Sequence, residues 1–256
     1  MAVALKGVLL DLGGVVYLGD EPLPGAVDAI DRLHRAGLAV RFLTNATRDP
    51  HRRILAKLRE MGLAVEDEEL FTPAMAAVQH MVTHGLAPHL LVHRDLTEDF
   101  AGLSSGASRA VVVGDCGDGF TYAALNEAYR ALQRGAPLLA LANNRSFRDR
   151  DGALSLDAGP FVAALAFASG REPVVLGKPS PDFFHAALAA MDCAPDEAAM
   201  VGDDVESDVG GAMAAGLTGV LVRTGKYEAG AEATIDPPPD HVAADLAAAV
   251  DRLLAI

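Results

Sequence analysis

The 256-residue chain has no tryptophan, only 5% aromatic residues and just two cysteines, Cys116 and Cys193. The cysteines lie far apart and match no CxxC or metal-binding spacing, which excludes a disulfide framework and fits a reducing compartment. Both read as small buried hydrophobes. Basic residues are scarce as well. Lys and Arg number 21 against 35 Asp and Glu, giving a formal net charge of −14, and no basic stretch offers a nucleic-acid footprint. Long hydrophobic runs are missing too: Met1 to Lys6 carries no basic leader and Asp11 interrupts the first apolar stretch, so neither a signal peptide nor a membrane span is expected. The expectation is a soluble, cytoplasmic chain with no nucleic-acid and no membrane partner. Its field repels phosphate-bearing ligands unless a cation, a lysine or helix N-terminal amides make a site locally positive.

What the chain does have is aliphatic mass, 51% hydrophobic residues, enough for one large domain or two smaller ones. Its N-terminal third alternates strand-like and helix-like segments. Residues 8–12 form a continuous apolar run suited to a strand buried on both faces. Residues 26–36 have helical periodicity and stop at Gly37. Residues 39–43 read as the next strand, and Asp49-Pro50 opens a helix that ends at Gly62. The pattern resumes after Pro173, with strands at 174–176, 198–201 and 218–222, helices opened by Ser180-Pro181-Asp182 and over 205–215, and a terminal helix at 241–254. Strands joined by helical crossovers lie parallel. Between them, strands at 90–92, 110–113 and 138–142 alternate with helices at 74–83, 122–133 and 159–168. The expected architecture is therefore α/β: a Rossmann-like parallel-sheet core of residues 1–72 and 173–256, with an inserted smaller α/β cap domain, 73–172, as a lid over its catalytic edge.

The polar residues that end the apolar runs carry the chemistry. Asp11 closes the first run, where open α/β sheets place their reactive groups; alone, it reads equally well as a capping aspartate. Thr44-Asn45 closes the second and offers a hydroxyl and amide donors to an oxyanion, or else forms a simple turn. Gly177-Lys178-Pro179 presents an ammonium in a rigid setting that can neutralise both a phosphoryl group and nearby carboxylates, although a lone GKP reads as a solvated loop lysine. Gly202-Asp203-Asp204 with Asp208 brings together carboxylates that repel unless a cation compensates them. Asp203 reads as a metal ligand, Asp208 as a metal-site carboxylate or its orienting neighbour, and Asp204 as the cap of the helix that follows. Gly13 and Gly14 allow a sharp turn, and the carbonyl of Gly13 is a natural further ligand for Mg2+ beside Asp11 and Asp203. Carboxylate, hydroxyl, ammonium and paired carboxylates in this order are the parts of a Mg2+-dependent phosphoryl-transfer site with Asp11 as nucleophile.

The ordered set resembles the haloacid dehalogenase-like hydrolase superfamily, whose four motifs are matched by Asp11, Thr44, Lys178 and Asp203 over essentially the full chain. The place of the insertion, between Thr44 and Lys178, is similar to that of the subfamily with a large α/β cap, the NagD-like branch. The resemblance implies a phosphatase acting on a small phosphorylated substrate, with Mg2+ as cofactor and pairing into a homodimer through the cap. It also exposes a departure. Gly13 stands where most such phosphatases carry an aspartate that protonates the leaving group, so activity is expected to favour leaving groups that need little protonation. A catalytically weak or silent phosphate- or partner-binding member is the alternative that Gly13 keeps open.

Three further motifs are weighed on their own. Asn143-Asn144-Arg145 follows a strand, and Arg145 is a candidate for the substrate tail against the reading of a surface loop arginine. Residues 114–119, Gly-Asp-Cys-Gly-Asp-Gly, look like a calcium loop but lack its terminal glutamate, so a plain glycine turn is preferred. The eight histidines show no ligand spacing.

Overall fold

A computed structural model describes residues 4–103, 108–148 and 153–255. In chain order the elements are β1 (Gly7–Asp11), a short hairpin of β2 (Tyr17–Leu18) and β3 (Glu21–Pro22), α1 (Ala26–Arg35), β4 (Ala39–Leu43), α2 (His51–Glu60), β5 (Leu70–Phe71), α3 (Pro73–His84), β6 (Ala87–Leu91) and β7 (Arg109–Val113). There follow α4 (Tyr122–Gln133), β8 (Leu138–Ala140), β9 (Ser146–Arg148), β10 (Leu154–Leu156), α5 (Ala158–Ser169) and β11 (Pro173–Val175). The chain closes with α6 (Pro181–Ala189), β12 (Ala198–Gly202), α7 (Gly211–Ala214), β13 (Thr218–Val222), β14 (His241–Ala243) and α8 (Leu246–Leu253).

The residues divide into two compact units: 1–44, 54–71 and 178–256 form the first, and 45–53 with 72–177 the second. The first unit is built on a sheet ordered β14-β13-β12-β1-β4-β5, every pairing parallel. β1 lies inside it with all its residues buried. Side-chain alternation sends Val8 and Leu10 into a cluster with Ile30, Leu33, Phe42 and Val250, while Leu9 and Met200, equally buried, face the other side. A strand covered on both faces must be apolar throughout, which is why the run at 8–12 was legible. From β1 the chain builds outward through β4 and β5, then returns to the other flank of β1 with β12. That reversal opens a crevice at the carboxyl ends of β1 and β12.

The second unit has its own parallel sheet, β11-β8-β7-β6, and an antiparallel β9–β10 pair. Val111, Val113, Leu132, Leu138, Val162 and Leu165 form its core.

Several sequence expectations need correction. The strand expected in the core at 174–176 is β11, and it hydrogen-bonds to β8 of the second unit, so that unit runs to Gly177 rather than 172. Residues 45–53 also belong to it, because they are tied there by polar contacts. Thr47 Oγ1 accepts from Asp115 N at 3.2 Å, the Asp99 carboxylate accepts from His51 N, and Arg53 pairs with Asp95 at 3.0 Å. The terminal helix expected from 241 starts only at Leu246, where Asp245 caps it by accepting from Ala248 N; His241–Ala243 pairs with β13 as an edge strand. The helix expected over 205–215 begins as a wide turn of π type, Val205–Gly210. Both cysteines are half-buried and free, not core residues. Among the described residues no helix is long and apolar enough to cross a membrane.

Candidate active site

Parallel register brings distant segments together. Leu10 pairs with Val201 on one side of β1 and Asp11 pairs with Leu43 on the other. Asp203, one residue past β12, and Thr44, one residue past β4, therefore flank Asp11 at one rim of the first unit's sheet. Asp11, Thr44, Lys178, Asp203 and Asp208 are all buried, a rare state for charged groups unless they compensate one another.

They do compensate. The Lys178 ammonium donates to Asp11 Oδ1 and lies 2.7 Å from Asp208 Oδ1. Asp208 Oδ2 accepts from Asp204 N at 3.1 Å, which fixes the carboxylate that in turn holds the lysine. A Cβ on Gly202 would fall 2.1 Å from the Asp208 Cβ, so only glycine lets the π-type turn settle onto β12. Asp204 caps that turn, its Oδ1 accepting from Glu206 N and Ser207 N at 3.2 and 2.9 Å.

Asp203 sits in a clasp that the sequence reading missed. Its Oδ2 accepts from Lys226 N at 2.7 Å, between Gly14 (φ +88°) and Gly225 (φ +57°), whose hypothetical Cβ atoms would lie 2.0 and 1.9 Å from that oxygen. Thr224 Oγ1 donates to Gly14 O at 2.5 Å and ties the two loops together, while Lys226 Nζ lies 3.3 Å from Asp204. The available signal was a glycine just beyond the strand at 218–222, the same punctuation that marked the other strand ends.

The other Asp203 oxygen, Oδ1, is buried without a hydrogen-bond partner. An orphaned buried carboxylate oxygen costs free energy unless a cation meets it. Asp11, Asp203 and Asp208 each offer an oxygen within 4.8 Å of the others, a set suited to a hard divalent cation. Burial pushes the Asp11 carboxyl up to about 7, with repulsion from Asp208 and Asp203 adding to it and Lys178 opposing. Burial likewise raises Asp203 to about 6 against the pull of the Lys226 amide. For Lys178 burial opposes the charge, yet Asp11 and Asp208 outweigh it and hold the ammonium above its ordinary value. A cation would reverse the upward carboxyl shifts.

Gly13 is exposed, and a Cβ there would meet nothing within 4 Å. Asn45 and Arg145 belong to the second unit, where Arg145 is exposed. The 114–119 segment holds a short 3₁₀ turn, Gly117–Gly119, but Asp115 is more than a turn residue: it is buried and pairs at 2.5 Å with Arg48, whose guanidinium lies 4.7 Å from the centre of the Phe147 ring.

The chain belongs to the haloacid dehalogenase-like hydrolases. A family model of that description matches residues 8–105 and a second, HAD-hydrolase-like one matches 175–249. The chain is 43% identical to haloacid dehalogenase-like hydrolase domain-containing protein 2 of Rattus norvegicus, over 98% of this chain and 96% of that one. It is 41% identical to phospholysine phosphohistidine inorganic pyrophosphate phosphatase of Danio rerio, over 98% and 95%. Among solved structures, p-nitrophenyl phosphatase from Archaeoglobus fulgidus aligns with a TM-score of 0.87 and 27% identity over 97% of this chain and 99% of that one. NagD of Escherichia coli K-12, at 24% identity, shares the fold with a TM-score of 0.85 over 96% and 98%.

Proposed function

We propose that the protein is a Mg2+-dependent phosphatase that hydrolyses a small phosphorylated compound through an aspartyl-phosphate on Asp11. One observation carries the reading: a buried aspartate at a sheet rim is held by a buried lysine beside a carboxylate oxygen that has no partner. The names of the Danio rerio and Archaeoglobus fulgidus relatives, both phosphatases, support it.

The Asp11 carboxylate attacks phosphorus, the leaving group departs with its bonding electrons, and water then cleaves the acyl phosphate to regenerate Asp11. Lys178 fixes one Asp11 oxygen and supplies positive charge where the phosphoryl oxygens gather. Thr44, with Asn45, offers donors to a non-bridging oxygen, and Arg145 is assigned to the rest of the substrate. Asp11, the Gly13 carbonyl, Asp203 and Asp208 would hold Mg2+, Asp203 Oδ1 being the best suited; when bound, the ion supplies charge neutralisation for the carboxylates and the phosphoryl group. Gly13 supplies no proton, so aryl phosphates, acyl phosphates, pyrophosphate and P–N bonds are the favoured substrates. The protein is further proposed to work as a cytoplasmic homodimer.

Hydrolysis of p-nitrophenyl phosphate with and without Mg2+, beside Asp11→Asn, tests this. Turnover that needs both the ion and Asp11 is expected. Equal, negligible rates in all three would favour a binding protein on the same scaffold, the reading that Gly13 leaves open.

A further inference from the structure

The second unit carries a groove of about 520 Å³ at the start of β6 and β7, lined by Leu86, Ser108, Arg109, Arg134, Gly135 and Pro137 among others. Register sets Arg109 beside Ala87, and His89, two residues along β6, shares the face of Ala87. Arg134 follows α4, and Gly135 (φ +100°) turns the chain back beneath it. Arg109 and Arg134 are both exposed, and among the described residues neither is ion-paired. His89 is half-buried and feels both guanidiniums, with Glu127 the acidic group opposing them.

In a chain of net charge −14, two uncompensated guanidiniums on one partly apolar groove form a local exception to a field that otherwise repels anions. We propose that this groove is an accessory binding site for a small tetrahedral oxyanion, a phosphate or sulfate group either free or carried on a compact organic body. Arginine forks match such oxyanions with paired hydrogen bonds. The hydroxyl of Ser108 adds a neutral donor, and the volume falls in the range of small-molecule sites. The described lining contains no carboxylate or imidazole that could activate the Ser108 hydroxyl or hold a cation, so the site binds and does not react. The proposal stands apart from the phosphatase reading, since none of its residues is among those assigned to that site.

The test is NMR of the full-length protein labelled at histidine, with the His89 ring resonance assigned through His89→Gln. Sodium sulfate and, separately, propylphosphonate are titrated in at constant ionic strength balanced with sodium chloride. The His89 resonance is expected to move saturably with both probes. A tighter phosphonate points to an organic phosphate as ligand, and equal affinity to the free oxyanion. Arg109→Ala/Arg134→Ala should weaken binding by about tenfold or more, the loss of a charge-assisted hydrogen bond, while p-nitrophenyl phosphate turnover stays unchanged. A His89 shift that chloride reproduces, or one undiminished in the double variant with its fold intact by circular dichroism, overturns the proposal.

Discussion

Gly13→Asp is the most informative single change. The position is exposed, a Cβ there has open space, and its φ lies outside the left-handed region, so the substitution should shift stability by no more than about 0.5 kcal/mol. Two residues beyond Asp11, it restores a carboxyl that can protonate a leaving group. General acid catalysis is worth about 10²- to 10⁴-fold, a barrier change of about 3–5 kcal/mol. That gain should appear only where the leaving group needs a proton. The assay is kcat/KM with Mg2+ across a series running from p-nitrophenyl phosphate to simple alkyl phosphates, plotted against leaving-group pKa. The parent protein should show a steep decline with rising pKa, and Gly13→Asp a shallow one, with alkyl phosphates gaining most and p-nitrophenyl phosphate least. A parent whose alkyl and aryl rates already match, or a folded variant with an unchanged slope, refutes the reasoning.

Gly225→Ala places a Cβ 1.9 Å from Asp203 Oδ2 at φ +57°; strain and forced displacement should together cost about 3 kcal/mol in urea unfolding and cut Mg2+-dependent turnover. Lys178→Met leaves Asp11 and Asp208 buried without their shared cation, so the metal-free protein should lose about 3–5 kcal/mol, measurable by denaturant melts, and turnover should fall by about 10² or more. The carboxyls of Asp11 and Asp203, raised from 3.8 to about 7 and about 6, bind protons more tightly folded than unfolded. Between pH 4 and 7 the folded state thus holds more protons, and these groups make the metal-free protein less stable as pH rises. Asp203→Asn should flatten that slope, a difference on the order of 2–3 kcal/mol, and Mg2+ should raise the parent's Tm more at pH 7.5 than at pH 5. A Tm slope identical in parent and variant would remove the cation-shaped reading of Asp203.

The buried strands were legible because burial on both faces demands unbroken apolar runs. The strand read at 39–43 is β4, and that at 218–222 is β13. Asp11, Thr44, Lys178 and Asp203 were legible because each follows such a run and marks a strand's end. β14 was not: His241–Ala243 is too short and mixed to declare a period, and it is a strand only because β13 offers it a ladder. β11 looked like any core strand, and local pattern says nothing about which sheet will accept it.

Burial and residue chemistry within a few positions set the alternation of strands and helices, the polar groups at their ends and the glycine at position 13. Long-range packing settled that β12 returns to the flank of β1, that the Thr224-Gly225-Lys226 loop clasps one oxygen of Asp203 while the other stays bare, and that Arg48 and Asp115 bind the 45–53 segment into the second unit. Those outcomes depend on contacts between residues far apart in the chain, whose energies no local window contains.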